Sequence, residues 1–207
     1  MDAQKKTPIA RERDIAAVQA RRDAFITTQA SLDPTRLIFV DESGFRLGSP
    51  PRYGWAPRGE DAPGKTVCGA WKTITMVGAI ALNGFRGMMT IDAATSTDVF
   101  HSFIQQVLVP SLQRGDIVVM DNLSAHKAPI IRAALAAVGA EVLFLPPYSP
   151  EFNPIERTWA KLKDILRRMH TLTREAFDAA VATAMNAVTL DDIREWTAFA
   201  GYKLTSI

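Results

Sequence analysis

Three carboxylates stand where the chain passes from one predicted element to the next. Asp41 follows the apolar run Leu37 to Val40, Asp121 follows the apolar run Ile117 to Met120, and Glu156 comes after a bend rich in proline. Carboxylates that share a site repel each other by about 4 kcal/mol per pair at about 4 Å and an effective dielectric of about 20, so a proton or a cation must relieve the repulsion. Oxygen ligands without a cysteine or histidine cluster favour Mg²⁺ or Mn²⁺, and a pair of such ions suits phosphodiester chemistry. The predicted chemistry is metal-assisted phosphoryl transfer on nucleic acid.

The two apolar runs predict buried strands that would bring the aspartates together. Ile117 to Met120, a helix over Ala128 to Val138 and a strand over Glu141 to Leu145 form a strand, helix and strand unit, whose strands are parallel. Parallel strands end at the same edge of a sheet, where open α/β sheets bind ligands. If the Leu37 strand lies parallel beside the Ile117 strand, Asp41 reaches that edge as well.

The stretch from Leu145 to Lys163, LPPYSPEFNPIERTWAKLK, has to deliver the third acid. Its prolines fix φ at several places, so we expect a stiff bend that ends in a helix. Asn153 is the predicted N-cap, Pro154 the first helical residue and Glu156 the third, where a glutamate can close a capping box. Because capping and metal binding would compete for this carboxylate, we expect Glu156 to turn away from the aspartates in the metal-free protein.

The other elements are predicted from periodicity and turn residues. Asn83-Gly84 is a favoured hairpin dipeptide, and Asp33-Pro34 ends an N-terminal helix that is only weakly amphipathic. The remaining predictions are a helix over Ile9 to Ala30, strands over Thr73 to Leu82 and Arg86 to Asp92, a helix from Thr95 to about Pro110 or Gly115, a helix after Asn153 with Ile155, Trp159, Leu162, Leu166 and Met169 on its apolar face, and helices over Arg174 to Val188 and Leu190 to Ala200.

Each acidic residue also has a purely structural interpretation. An aspartate after a strand is often a turn former or a helix cap, and Glu156 alone could be a capping glutamate. Successive strand residues face opposite sides, so the pattern leaves open whether Asp41 or Glu42 faces the site. Asn122 and His126 are secondary candidates that either orient groups near Asp121 or satisfy the loop backbone, and Asn153 is a third.

Basic residues near aromatic ones suggest candidate DNA contacts. The loop after the first strand places arginines and a lysine around Tyr53 and Trp55, a mixture that can meet phosphates and stack on bases. A solvated surface is the alternative, and for the arginines at 11, 13, 21 and 22 we prefer a solvated helix face or a connector. The candidates are Arg46, Arg52, Arg58, Lys65, Lys161, Lys163, Arg167 and Arg168.

The composition of the chain limits its size class and its possible environments. The chain has 207 residues, 47% of them hydrophobic, and a formal charge of +2, which predicts one main domain and leaves nucleic-acid binding undecided by charge. The single cysteine, Cys68, excludes an internal disulfide. No signal peptide or membrane span is visible. We expect a soluble cytoplasmic protein without membrane contact.

Three motifs together resemble a known family. FVDESGF around Asp41, VVMDNLSAHK around Asp121 and the stretch around Glu156 are similar to the catalytic motifs of DDE transposases of the mariner-like superfamily, in particular the bacterial insertion-sequence branch. The resemblance covers most of Leu37 to Met169. It implies an α/β fold of the ribonuclease-H-like type, a mixed sheet with flanking helices.

The same resemblance implies the roles of the three acids. Asp41, Asp121 and Glu156 would be catalytic and would each bind Mg²⁺ or Mn²⁺, with two ions in the site. The family's reaction is DNA cleavage at transposon ends followed by attack of the freed 3′ hydroxyl on target DNA. The implied partners are transposon-end and target DNA and a second copy of the chain, in a homodimer associated with the nucleoid.

The resemblance also suggests how the chain is divided. We expect an N-terminal helical connector over residues 1–34, the catalytic domain over 35–170, and C-terminal helices packed on it over 171–207. Family members carry helix-turn-helix domains upstream, so we expect this chain to be the catalytic half, either a second reading frame joined by frameshifting or a truncated copy. The alternatives are a metal-dependent nuclease or resolvase of the same fold and an inactive DNA-binding remnant.

Overall fold

Five strands form one mixed sheet in the computed structural model, which describes residues 11–51, 55–61 and 72–204. The spatial order is β3-β2-β1-β4-β5. β1 pairs antiparallel with β2 and parallel with β4, β2 pairs antiparallel with β3, and β4 pairs parallel with β5. The strands are β1 (Leu37–Arg46), β2 (Thr73–Ala81), β3 (Gly84–Ile91), β4 (Ile117–Met120) and β5 (Glu141–Phe144). The predicted strands and the parallel placement of β1 beside β4 are confirmed.

Strand β1 is longer than its apolar run. It continues through Asp41 to Arg46 because β2 pairs with it as far as Arg46↔Thr73, whereas its parallel pairing with β4 ends at Phe39↔Val119. The expectation that the strand ends at Asp41 was therefore wrong. Asp41 nevertheless lies just beyond the end of the paired part of β4, at the predicted sheet edge.

The β2–β3 hairpin turns one residue earlier than predicted. Its turn is Leu82-Asn83, and Gly84 already pairs with Ala81. Gly84 has φ of 117°, a conformation that glycine adopts without a steric penalty. The glycine therefore serves as the first residue of β3 rather than as the second residue of the turn.

Helices cover both faces of the sheet. One face packs mainly against α4, α5 and α6 through residues such as Phe39, Trp159 and Phe177, and the other packs against α2 and α3 through Ile38 and Phe100. The helices are α1 (Ala16–Gln29), α2 (Thr97–Phe103), α3 (Pro129–Ala137), α4 (Ile155–Arg168), α5 (Arg174–Asn186) and α6 (Leu190–Phe199). None of the helices within the described ranges is long and apolar enough to cross a membrane.

The helix bounds differ from the predictions most at α1 and α2, and by one or two residues at α3, α5 and α6. A 3₁₀ turn at Arg11–Asp14 precedes α1, and α2 continues as a π turn at Ile104–Leu108 and a 3₁₀ turn at Val109–Ser111. The apolar face of α4 is buried as predicted except at Met169, which is 42% exposed because it follows the last helical residue.

The N-terminal helix α1 packs against the loop that leads to α4. Arg22 is 6% exposed, donates to Ser149 Oγ at 2.5 Å and to Glu151 Oε1 at 2.6 Å, and lies over the Phe152 ring. Arg13 forms a second ion pair with Glu151 at 2.7 Å. The expectation of a solvated face was therefore wrong for Arg13 and Arg22, whereas Arg11 and Arg21 are exposed as expected. A weakly amphipathic helix can still be anchored by a buried arginine.

Candidate active site

Successive side chains of β1 lie on opposite faces of the sheet, and so do Asp41 and Glu42. Phe39 and Phe45 belong to the core under α4, whereas Ile38 and Val40 belong to the core under α2 and α3. Asp41 lies on the same face of the sheet as Phe39. Its Oδ2 accepts a hydrogen bond from Trp159 Nε1 of α4 at 3.0 Å. Asp41 is thus the acid that faces α4.

A glycine makes room for the tryptophan that holds Asp41. Gly78 of β2 lies directly opposite Asp41 in the register. A Cβ atom at Gly78 would lie 2.8 Å from Trp159 Cη2, closer than side-chain atoms normally approach. Trp159 itself is 2% exposed. The absence of a side chain at position 78 therefore allows the indole to reach the carboxylate.

Asp121 is held by its own loop and by a buried histidine. Its Oδ1 accepts from the Leu123 amide at 2.9 Å and lies 2.6 Å from His126 Nδ1. The other ring nitrogen of His126, Nε2, lies 3.0 Å from Glu42 Oε1. Both contacts of Asp121 use Oδ1, so Oδ2 keeps its capacity to accept another ligand.

His126 thus connects two acids across the sheet edge. Its side chain is fully buried and its ring packs on Phe100 with centroids 4.1 Å apart. Glu42 lies on the opposite face of the sheet from Asp41, and it contacts His126, which in turn contacts Asp121. Asn122, the other candidate beside Asp121, donates a hydrogen bond to the Leu145 carbonyl and so links the ends of β4 and β5.

Glu156 reaches the site without the predicted cap. Asn153 is not a side-chain cap: it is 4% exposed, and its Nδ2 donates to the Val40 carbonyl at 3.5 Å. Pro154 has helical backbone angles and precedes the first helical residue, and the Glu156 amide bonds to the Asn153 carbonyl at 3.2 Å. The predicted capping by Asn153 was therefore wrong, because the side chain is used to attach the bend to β1. No side chain caps this helix start, and the Glu156 carboxylate is not used as a cap. Glu156 is exposed at the cleft.

The three acids line one cleft of about 450 Å³. Residues of the stiff loop between β5 and α4 line it too, so the prolines form part of the site rather than only leading to it. The lining residues are Asp41, Asp121, Asn122, Leu123, Leu145, Pro146, Pro147, Tyr148, Ser149, Pro150, Asn153 and Glu156.

The electrostatics differ from one acid to the next. Burial and the charge of Glu156 raise the pKa of Asp41 to about 8. The protein atoms around the carboxyl at the mouth of the cleft desolvate it and raise the pKa of Glu156; Lys163 opposes the rise and Asp121 adds to it. Burial would raise the pKa of Asp121 too, but His126 and the Leu123 amide hold it below its usual range. Asp121 is therefore the acid that stays ionised most readily.

The histidine carries the balancing positive charge. Burial would lower the pKa of His126, but the carboxylates of Asp121 and Glu42 outweigh this effect and raise it to about 9. The raised pKa favours a protonated His126, whose Nε2 is hydrogen-bonded to Glu42 while Nδ1 lies in ion-pair contact with Asp121 at 2.6 Å without hydrogen-bond alignment. One Glu42 oxygen, Oε2, is buried without a hydrogen-bond partner among the described residues.

The donor set suits a hard divalent cation. Asp41, Asp121 and Glu156 offer only oxygen ligands, and burial together with the charge of Glu156 raises the pKa of Asp41, so a cation would favour its ionised form. Across residues 11–51, 55–61 and 72–204, no three acidic, histidine or cysteine side chains are already arranged as a metal cage. A cation bound here would have to draw these carboxylates together.

The candidate DNA contacts are spread over different environments. Lys161 Nζ pairs with Asp192 of α6 at 2.5 Å, and Arg168 pairs with Asp164 one turn away. The charge of Lys163 opposes the rise in the pKa of Glu156. Arg46 and Arg167 also have interaction partners. Arg58 and Trp55 are exposed, whereas Arg52, Tyr53 and Lys65 lie outside the described residues.

Sequence reasoning missed the residues that hold the acids. Trp159 was assigned to the core, but a buried indole N–H usually has an acceptor, and this signal could have indicated a polar partner. Glu42 was left open, and nothing local in the sequence linked it to His126. Arg22 gave no signal at all, because a buried arginine cannot be told from a solvated one by its neighbours in the chain.

The fold and the site define the class of this protein. The structure aligns with a Mos1 transposase paired-end complex at a TM-score of 0.78 and 15% identity, covering 97% of this chain and 65% of that one, and with a Mos1 mariner paired-end complex with Mn at 0.77 and 15%, covering 99% and 68%. A Mos1 catalytic domain with Raltegravir and Mn aligns at 0.70 and 14% identity, covering 97% of this chain and all of that one. The fold is therefore ribonuclease-H-like, as predicted, and the chain spans about two thirds of the longer transposase chains.

The sequence assigns the chain to a family within that class. Residues 36–178 match the DDE superfamily endonuclease family, so the chain belongs to that family. The match includes Asp41, Asp121 and Glu156. No curated protein sequence gives a significant match.

Proposed function

We propose that this chain is the catalytic domain of a DNA transposase that cleaves DNA and joins the freed end to a target. The observation that carries the proposal is that Asp41 from β1, Asp121 after β4 and Glu156 from α4 line one cleft of a ribonuclease-H-like fold. Family membership supports DNA cleavage. Strand transfer is supported by the alignment with a Mos1 strand transfer complex at a TM-score of 0.73.

Within this proposal the three carboxylates would hold Mg²⁺ or Mn²⁺, as one ion or as a pair. When bound, such ions activate an attacking oxygen and stabilise the leaving oxygen of a phosphodiester. Trp159 keeps the Asp41 carboxylate oriented, and His126 does the same for Asp121. The stiff loop before α4 places Glu156 at the mouth of the cleft. The chain supplies positioning and charge, and the nucleophile is water or a DNA hydroxyl.

The partners and the setting are further parts of the proposal. Solved relatives are named as complexes with transposon ends and as paired-end complexes, which supports DNA as the substrate and a homodimer as the active assembly. The motifs suggest the bacterial insertion-sequence branch, acting in the cytoplasm at the nucleoid. A helix-turn-helix region supplied upstream, as the resemblance of the motifs implies, would be the part that recognises the transposon ends.

A cleavage and strand-transfer assay on DNA that carries the terminal repeats of the parent element tests the proposal. Wild type is compared in Mg²⁺ and in EDTA with Asp121→Asn and Glu156→Gln, and we expect each substitution to reduce cleavage by at least about 100-fold. Asp191→Asn is the matched control, because its side chain is 85% exposed on α6. Cleavage by both variants at the wild-type rate would refute the assigned site.

The same assay separates transposition from simple cutting. The family description names an endonuclease, so metal-dependent cleavage without joining is the second candidate. A nuclease produces nicked or broken DNA and no joined product, whereas a transposase also inserts the repeat end into a target. Folded wild-type protein that binds DNA but does not cut it would instead identify an inactive DNA-binding remnant.

A further inference from the structure

Tyr148 has a backbone conformation that tyrosine rarely adopts. Its φ is +54°, and among the described residues the only other non-glycine with positive φ is His170. Tyr148 follows Pro147 in a turn. Proline followed by a residue of positive φ is the pattern of a type II turn, in which glycine or asparagine normally takes the second place. A tyrosine here is sterically unfavourable.

Buried contacts beneath the turn hold this conformation. Ser149 is 3% exposed, donates to the Pro147 carbonyl at 3.0 Å and accepts from Arg22 Nη1 at 2.5 Å. The tyrosine side chain is not part of this anchor, because it is 49% exposed. Packing of the ring therefore does not explain why a tyrosine occupies a position that suits glycine.

The ring lies instead in the wall of the acidic cleft. Tyr148 lines the same cleft as Asp41, Asp121 and Glu156. Leu123, which is 53% exposed, lines it as well. A cleft that combines carboxylates with two exposed apolar side chains offers an aromatic face and an apolar contact beside the place where a phosphate would react.

We propose that Tyr148 is a stacking platform for an unpaired DNA base next to the reacting phosphate, with Leu123 as the apolar contact at the same cleft. The proposal rests on the proposed function, since it assumes a DNA substrate. Bases of every kind stack on an aromatic face, so the contact is tolerant of sequence. The prolines on either side of Tyr148 and the Ser149 anchor preorganise the ring, which reduces the entropy lost on binding.

The test compares Tyr148→Asn and Tyr148→Phe with wild type, and His170→Asn is the matched control because it changes the other aromatic residue with positive φ. The probes are a duplex with a short unpaired 3′ tail that carries 2-aminopurine, and a fully paired duplex of the same sequence. Both are titrated in EDTA, so that no cleavage occurs, and 2-aminopurine fluorescence reports stacking directly. Thermal melting of each protein gives Tm.

We expect Tyr148→Asn to weaken binding of the tailed DNA by roughly 5- to 150-fold, the range measured for loss of one base–aromatic stack, and to leave binding of the paired duplex unchanged. Its Tm should be equal to that of wild type or higher, because asparagine tolerates positive φ. Tyr148→Phe and His170→Asn should bind both probes as wild type does. Quenching of 2-aminopurine by wild type and Tyr148→Phe, and its loss in Tyr148→Asn, completes the expected result.

Three outcomes would overturn the proposal. Tailed DNA could bind equally to wild type and Tyr148→Asn, or it could bind to wild type with no change in 2-aminopurine fluorescence. Alternatively, Tyr148→Asn could lower Tm by several degrees and weaken both probes equally, which identifies a purely structural residue. In all three cases wild type binds DNA and the proposed function stands. Wild type that binds neither probe would also overturn the stacking proposal, and the Mg²⁺-dependent cleavage assay would then decide the proposed function separately.

Discussion

Trp159 Nε1 donates a hydrogen bond of 3.0 Å to Asp41 Oδ2, so a residue of the hydrophobic core directly orients an acid of the cleft. The indole can do so because Gly78, opposite Asp41 on β2, has no side chain. This contact joins the core to the site, so a change in packing at Gly78 should alter the position of the Asp41 carboxylate.

Gly78→Ala tests this connection. The added methyl group would lie 2.8 Å from Trp159, so we expect overpacking to destabilise the protein by about 1–3 kcal/mol and to displace the indole from Asp41. Cleavage should fall by more than the loss of folded protein explains. Gly44→Ala is the control, because its Cβ would make an ordinary contact of 3.4 Å with Thr73. Equal effects of the two substitutions on cleavage would contradict the assigned role of Trp159.

Substitutions of Glu42 and His126 should affect the site from the other face of the sheet. His126→Gln removes the group that holds Asp121, and we expect metal affinity, measured by titration with Mn²⁺, to fall by about 10- to 100-fold. Glu42→Gln keeps an acceptor for His126 Nε2, so its effect should be smaller. Glu141→Gln, an exposed change on β5, is the control. Wild-type Mn²⁺ affinity in His126→Gln would show that the histidine does not position Asp121.

The stability of the metal-free protein should fall as pH rises. His126 has a pKa raised to about 9 in the folded protein, so its stabilising contribution is complete below its unfolded value of about 6.5 and is lost as pH rises to about 9. Asp41 acts in the same direction, because its raised pKa of about 8 makes ionisation of the folded state unfavourable above about pH 4. We expect Tm in EDTA to decrease by about 5 °C or more between pH 6.5 and pH 9.

Two comparisons identify the groups responsible for this pH dependence. Asp41→Asn should flatten the part of the profile between about pH 4 and pH 8, and His126→Gln should flatten the part above about pH 6.5. Mg²⁺ should raise Tm most at high pH, because the carboxylates must be deprotonated to bind it. A Tm profile that does not change with pH over this range would contradict the raised pKa values.

Arg22→Gln should detach α1 from the loop that positions Glu156. The substitution removes charged hydrogen bonds to Ser149 and Glu151, so we expect a loss of about 2–3 kcal/mol and a decrease in Tm of roughly 5–10 °C. Arg21→Gln, one residue away and exposed, should change Tm little. The prediction is wrong if both variants melt at the same temperature.

Local patterns predicted most of the fold. Apolar runs bounded by turn residues identified β4 and β5, and the short unit between them settled their parallel pairing, because these signals depend only on neighbours in the chain. The same patterns located the end of β1 incorrectly, since its second half is a strand only through its pairing with β2. They also misassigned Asn153 as an N-cap, whereas its side chain donates a hydrogen bond to the Val40 carbonyl and does not cap its own helix.

The sequence by itself determined the order of the elements and the three acids that meet at one sheet edge. Only the tertiary structure decided which residues hold those acids: Trp159 for Asp41, Glu42 through His126 for Asp121, and Arg22 for the loop before Glu156. The hydrogen-bonded pairs Trp159–Asp41, His126–Glu42 and Arg22–Ser149 are 118, 84 and 127 residues apart in the chain. Contacts at such separations depend on how the sheet faces and helices pack, and no local periodicity encodes that packing.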